Sequence, residues 1–304
     1  MKPKIGISVR SLNQDGSDIE DRIAEVNLYN PDNLELMCFA QDLLIKGDLI
    51  PERVSNIAKA LTTYKGDVTI HGPLTINFLD HKDNLDLYME MALSYINLGK
   101  ALEVEGIIFH TGFCETENSS NLSQRYSKQR DFYKTLADKS GLSEIKIYIE
   151  NIFPFFKGAH TALPIKLTEE IEKINHPFVH GCFDVSHGYI ACKAYKENFM
   201  PHALEFGKSS KHWHVHDSFG VPDINVKPFT PSEALALGIG DLHLPVGDGN
   251  IPWSEIIKSI QPNYQTTFNI ELNPSYWAQL GRCVEATQDL VNEAEQYLTG
   301  KSDV

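Results

Sequence analysis

At 304 residues, with 42% hydrophobic and 22% charged side chains, the chain can bury a large core, which excludes disordered, collagen-like and disulfide-stapled classes. Acidic groups outnumber basic ones, 41 against 27, and the resulting formal charge of −14 repels a phosphate backbone, so nucleic acid is disfavoured as a partner. Five cysteines without a C-x-x-C pair fit a reducing compartment, and without an 18-residue apolar run or a signal-peptide pattern the expectation is a cytoplasmic protein with no membrane partner.

In chain order, short β-branched or apolar runs predict strands at 4–9, 24–29, 67–71, 106–110, 145–150, 179–184, 211–216 and 266–271. Amphipathic stretches between them predict helices near 34–46 or 51–63, then 83–102, 123–139, 164–174, 194–207, 252–260 and 277–298. Strand and helix alternate throughout, which is the pattern of a parallel sheet with crossover helices. Dividing 304 residues among eight strand–helix units gives 38 per unit, and the α/β reading is a single (β/α)8 TIM barrel over 1–304, somewhat above the usual ~250 residues. The longest irregular piece, about 218–251, directly follows the seventh strand and is expected as an extended active-site loop at the catalytic face. A doubly wound open sheet is the structural competitor, but neither glycine-rich phosphate cradle is present to support it.

Metal-capable side chains fall at the ends of the predicted strands. His71, His110, Glu150 and Asp184 close the third to sixth, with His187 just beyond; His214 and His216 close the seventh and Glu271 the eighth. A parallel barrel points every strand C-terminus at one mouth, so these distant positions converge. Residues two apart share a strand face, which puts His212, His214 and His216 on one side and Trp213, Val215 and Asp217 on the other. Carboxylates gathered on the barrel side are costly to bury unless paired or metal-bound, and the spacing asks for a cation. Asp241 and His243, in the long loop, read either as turn residues or as ligands reaching back over the mouth. By contrast His81, His160, His176, His180 and His202 read as hydrogen-bonded core or surface residues, and Cys182 as packing inside the barrel. Lys157, after the fifth strand, is a candidate contact for a substrate anion, and Trp213 is one of several aromatics that either wall the pocket or pack the loops.

The blocks His71-Gly72-Pro73, Glu150-Asn151, Phe183-Asp184-Val185-Ser186-His187, His212-Trp213-His214-Val215-His216-Asp217, Asp241-Leu242-His243 and Asn269-Ile270-Glu271 together resemble the xylose isomerase-like TIM-barrel superfamily. That grouping holds sugar isomerases and epimerases and a zinc-dependent apurinic endonuclease branch. The resemblance implies four shared metal ligands, Glu150, Asp184, His214 and Glu271. Its endonuclease branch implies five more for a three-zinc site, His71, His110, His187, Asp241 and His243. Leu74 stands where that branch has a DNA-inserting tyrosine, and with the charge of −14 this argues against a duplex substrate.

Two chemistries follow. The first is isomerisation or epimerisation of a sugar or sugar phosphate. Glu150 and Glu271 would pass a proton across the carbon next to a carbonyl, a metal would stabilise the enediolate, and His187, His216, Lys157 and Trp213 would contact substrate. The second is hydrolysis of a small phosphoester by two or three metals, because nine ligands exceed what one ion uses. A non-catalytic, metal-stabilised carbohydrate-binding protein is the third reading. Ligands without thiolate suit zinc or manganese first and iron or magnesium next, one to three ions in all. The partner expected is a small carbohydrate or phosphorylated molecule, and barrels of this kind often pair as homodimers.

Overall fold

A computed structural model describes residues 2–115 and 121–300. Eight strands form a closed barrel: β1 (Lys4–Val9), β2 (Asn33–Leu36), β3 (Asp67–His71), β4 (Gly106–His110), β5 (Lys146–Glu150), β6 (Val179–Asp184), β7 (Ser210–Val215) and β8 (Thr267–Ile270). Each pairs in parallel with its sequence neighbours, and β8 closes on β1. The connecting helices are α1 (Ile19–Asn27), α2 (Pro51–Leu61), α3 (Lys82–Ala101), α4 (Leu122–Gly141), α5 (Pro164–Ile174), α6 (Val185–Tyr195), α7 (Phe199–Ser209), α8 (Pro231–Leu237), α9 (Trp253–Ile260) and α10 (Leu280–Thr299). Among the described residues no helix is long and apolar enough to cross a membrane.

The (β/α)8 expectation holds, with one strand misplaced. Residues 24–29, expected as a strand, lie largely in α1, and the second strand is Asn33–Leu36. The reason is periodicity: Ile19, Ile23 and Val26 recur at helical spacing and are all buried, so the longer stripe overrides the short alternation within 24–29. Of the two places expected for the next helix, 51–63 is the one observed, as α2, whereas 34–46 holds β2 and a short 3-10 turn, Cys38–Ala40. The helix expected at 194–207 is two helices, α6 and α7, and the long loop contains α8, capped by Thr230 and Glu233 in a reciprocal box.

Strand alternation separates two cores. Outward-facing Ile7, Leu34, Ile70, Phe109, Ile149, Phe183, Trp213 and Phe268 are buried beneath the helices. Inside the barrel lies a small apolar cluster of Ile108, Tyr148 and Cys182. The rest of the interior is polar: Asn269 Nδ2 donates to Ser8 Oγ at 2.7 Å and Asn33 Nδ2 to Thr69 Oγ1 at 3.1 Å. Gly6 admits this network, because a Cβ there would fall 2.4 Å from Asn269 Oδ1. Register then sets the level of the site: His110 lies beside Glu150, and Asp184 beside His214.

Candidate metal centre

All nine ligand candidates gather at the C-terminal mouth of the barrel. Glu150 ends β5 and is fully buried. Four imidazole nitrogens surround its carboxylate: His71 Nε2 and His110 Nε2 at 3.2 Å from Oε2, and His187 Nδ1 and His214 Nδ1 at 3.1 and 3.2 Å from Oε1. Neither Glu150 oxygen has a well-aligned hydrogen bond, although all four nitrogens are close. His214 Nδ1 also lies 3.7 Å from Asp184 Oδ2 and 3.5 Å from Glu271 Oε2. Asp184 caps α6, accepting from the His187 amide at 2.6 Å, which fixes Asp184 and His187 on one turn of chain.

A second group adjoins the first. His187 Nε2 is 3.1 Å and His243 Nε2 2.6 Å from Asp241 Oδ2, while His216 Nε2 is 2.9 Å from Asp184 Oδ2. His243 holds a left-handed backbone conformation, φ 47°, uncommon for a residue with a Cβ and a mark of a position fixed by its surroundings.

The donor chemistry fits divalent cations. Three rings are held through Nδ1 close to backbone carbonyls, His71 to Gly72, His187 to Asn151 and His243 to Glu271, each at 3.0 Å. A carbonyl only accepts, so Nδ1 carries the hydrogen, which leaves Nε2 as the nitrogen that would ligate a cation and that otherwise takes a proton beside the carboxylates. Ligand atoms of His187, His216, Asp241 and His243 all lie within 4.8 Å of one another, as do those of His71, Glu150 and His214, and of Glu150, Asp184 and His187. Every donor in these groups is nitrogen or oxygen, the set that suits zinc, manganese or iron.

Charge is balanced internally. Burial opposes ionisation of Glu150, but His214 and His110 outweigh it and hold the carboxyl well below its usual range. Asp241 is held well down in the same way, against burial, by His243 and His187. Conversely burial opposes charge on His243, and Asp241 nevertheless pushes it up to about 9.

Above the centre opens a cavity of about 330 Å³, lined among others by Arg10, Met37, Phe39, Phe153 and Phe155 as well as by His71, His110, Glu150, His187, Asp241, His243 and Glu271. The expected substrate contacts fare differently. Of these, His187 lines the cavity, whereas His216 is buried beneath, its ring stacked on His243. Trp213 is not a substrate contact: its strand face turns it outward, against Phe183 and Phe268 at ring separations of 5.2 and 5.0 Å. Lys157 stands exposed outside the cavity lining. Cys182 is buried inside the barrel, as expected, and burial pushes its thiol well up.

Two residues escaped the sequence reading. Glu35 belongs to the misplaced second strand; its carboxylate is buried beneath the centre, 2.8 Å from His212 Nε2 and 3.2 Å from His214 Nε2. Alternation within Asn33-Leu34-Glu35-Leu36 carried the signal. Arg10 follows β1 at the strand-end position that His71 and Glu150 exemplify, but an arginine is not a metal ligand and so stands outside the pattern of metal-capable strand ends.

Comparison with known proteins agrees with this architecture. A solved structure described as a D-tagatose 3-epimerase-like protein superposes with a TM-score of 0.71 at 19% identity, covering 98% of this chain and 100% of its own. The IOLI protein, solved with a bound zinc atom, superposes with a TM-score of 0.65 at 14% identity, covering 97% and 99%. An uncharacterized protein of Methanocaldococcus jannaschii, MJ1311, is 23% identical over 257 residues, 83% of this chain and 77% of the relative. The sequence profile of the family described as "Xylose isomerase-like TIM barrel" matches residues 30–295, and the chain belongs to that family.

Proposed function

We propose that the chain is a divalent-cation-dependent isomerase or epimerase of a small polyhydroxylated substrate. The observation that carries this reading is the placement of Glu150 and Glu271: both line one cavity with His187, and both approach the same atom, His214 Nδ1. Glu150, Asp184, His214 and Glu271 would hold the principal cation. When bound, a divalent cation supplies Lewis-acid polarisation of a substrate carbonyl. One glutamate takes the proton from the adjacent carbon and the other returns a proton to it, a contribution of about 10²–10⁴-fold. His187 faces the same space and holds a substrate oxygen, while Phe39, Phe153 and Phe155 wall the cavity and exclude water. The epimerase-like and zinc-bound structural neighbours support the reading at the level of fold.

A second reading, hydrolysis of a small phosphoester, is favoured by the adjoining group of His187, His216, Asp241 and His243, which, beside Glu150, Asp184, His214 and Glu271, brings the donors to more than one ion uses. One experiment separates them. Cation-loaded protein is incubated in deuterium oxide with ketoses, aldoses and their phosphates, and deuterium uptake beside the carbonyl and free phosphate are both followed. Uptake of deuterium supports isomerisation; phosphate release without it overturns that reading in favour of hydrolysis.

A further inference from the structure

The chain has six arginines. Five are engaged: Arg22 with Glu25 at 2.7 Å, Arg53 with the Asp42 carbonyl at 2.6 Å, Arg125 with the Leu79 carbonyl, Arg130 with Glu170, and Arg282 with Asp248 at 2.5 Å. Arg10 differs. Its guanidinium forms no ion pair and donates no hydrogen bond among the described residues, and its Nε is buried without a partner. An N–H withdrawn from water and left unpaired is unfavourable. Arg22 Nε and Trp213 Nε1 are buried without a partner too, but Arg22 pairs through Nη1 and neither residue lines the mouth cavity; Arg10 combines a wholly unpaired guanidinium with a place on that cavity.

Its placement says what would pair with it. Arg10 directly follows β1, between the ends of β2 and β8, and among the described residues is the single Lys or Arg side chain that lines the mouth cavity. Glu150, Asp241 and Glu271 line the same cavity, yet none of them pairs with Arg10; imidazoles approach all three. The guanidinium is therefore not spent on neutralising the metal-capable acids. A planar fork of N–H donors fits an oxyanion in two-point contact. On a chain of net charge −14, an anionic substrate needs such a local counter-charge.

We infer that Arg10 is a substrate-anion anchor: the molecule turned over in this cavity carries an oxyanion group, a phosphate ester or a carboxylate, which the guanidinium holds. The inference rests on the proposed isomerase reading for the remainder of the substrate but not for the anion itself.

The test is calorimetric titration of the cation-loaded protein with four probes: a ketose phosphate, the corresponding unphosphorylated ketose, a uronate, and inorganic phosphate. The expected result is that the ketose phosphate or the uronate binds at least tenfold more tightly than the neutral ketose. Arg10→Gln should collapse that margin to under threefold and Arg10→Lys should restore part of it, with melting temperatures showing that both variants fold. Which of the two charged sugars has the larger margin identifies the anion. Equal binding of charged and neutral sugars, no binding of any anion, or a margin that survives Arg10→Gln overturns the inference. Binding and turnover fail separately. A margin lost in Arg10→Gln without deuterium uptake from any sugar keeps the anchor and removes the isomerase, whereas uptake from neutral sugars with no margin does the reverse.

Discussion

The Asp217 carboxylate accepts the indole N–H of Trp253 at 3.1 Å, joining the end of β7 to the start of α9 across the whole of the long mouth segment. The same carboxylate accepts the amides of Ser218 and Gly247, each at 2.9 Å, and of Ile251 at 3.3 Å. Gly249 is required beside it, since a Cβ would fall 2.1 Å from Asp217 Oδ1. This buried carboxylate joins the backbone pairing of Asp217 with Leu244 and the contacts of His243 with Asn273 and Glu271 in holding the segment that bears Asp241 and His243 against the barrel.

Replacing Asp217 by Ala leaves several donors unpaired, and hydrogen bonds to a charged group are each worth about 1.5–3 kcal/mol. Asp217→Ala is expected to lose at least about 2 kcal/mol in urea unfolding and, by loosening the segment that bears Asp241 and His243, to weaken cation binding in calorimetric titration. A variant as stable as the parent would show that the carboxylate does not organise the loop.

Cation binding to the folded chain alone raises its stability. At a free concentration one hundred times Kd the gain is about 2.7 kcal/mol. Zinc or manganese should therefore raise Tm by several degrees over chelator-treated protein, read by scanning calorimetry, and elemental analysis should return more than one ion per chain if the second donor group is also filled. Identical melting curves with and without the ions would remove the metal from the account.

Glu150→Gln and Glu271→Gln each take away one arm of the proposed proton exchange. Deuterium uptake in either variant should fall by about 10²–10⁴-fold. A loss below tenfold in both would leave the glutamates without the catalytic roles given to them.

Glu35 lies on the far side of His214 from the centre, facing Nε2 while Nδ1 faces Glu150 and Glu271. Carboxylates placed behind a ligand imidazole typically contribute about 10–100-fold in metal affinity. Competition with a chromophoric chelator should show a loss of that size for Glu35→Gln; undiminished affinity would make Glu35 a purely structural charge.

Away from the mouth, Glu170 on α5 is buried and meets Arg130, Lys166 at 2.9 Å and Lys173 at 3.2 Å. Burial would raise its pKa, but Lys166 and Arg130 prevail and hold it below 4.5. Between the folded and unfolded values the unfolded chain binds more protons, so the stabilisation is complete above the unfolded pKa and is lost as pH falls through the folded one. Glu170→Gln should cost about 1–3 kcal/mol at pH 7, the lysines' exposure keeping it modest, and the gap to the parent should narrow below about pH 4. A gap independent of pH would contradict the assigned charge.

What the sequence determined by itself was the barrel and most of its mouth. Period-two runs such as Gly106-Ile107-Ile108-Phe109-His110 and Lys146-Ile147-Tyr148-Ile149-Glu150 state both that a strand forms and which side chain closes it, because alternation and parallel packing are local rules applied one strand at a time. Glu35 was lost where that rule is weakest, in a four-residue strand beside a segment whose helical stripe imitates alternation. Only the tertiary structure decided the rest: that His216 stacks on His243, 27 positions away, with ring centroids 3.9 Å apart, that Trp213 faces the helices, and that Arg10 alone among the arginines finds no partner among the described residues. Those are relations between side chains brought together by barrel closure and by the loop that Asp217 anchors, and no local periodicity encodes a distance across the mouth.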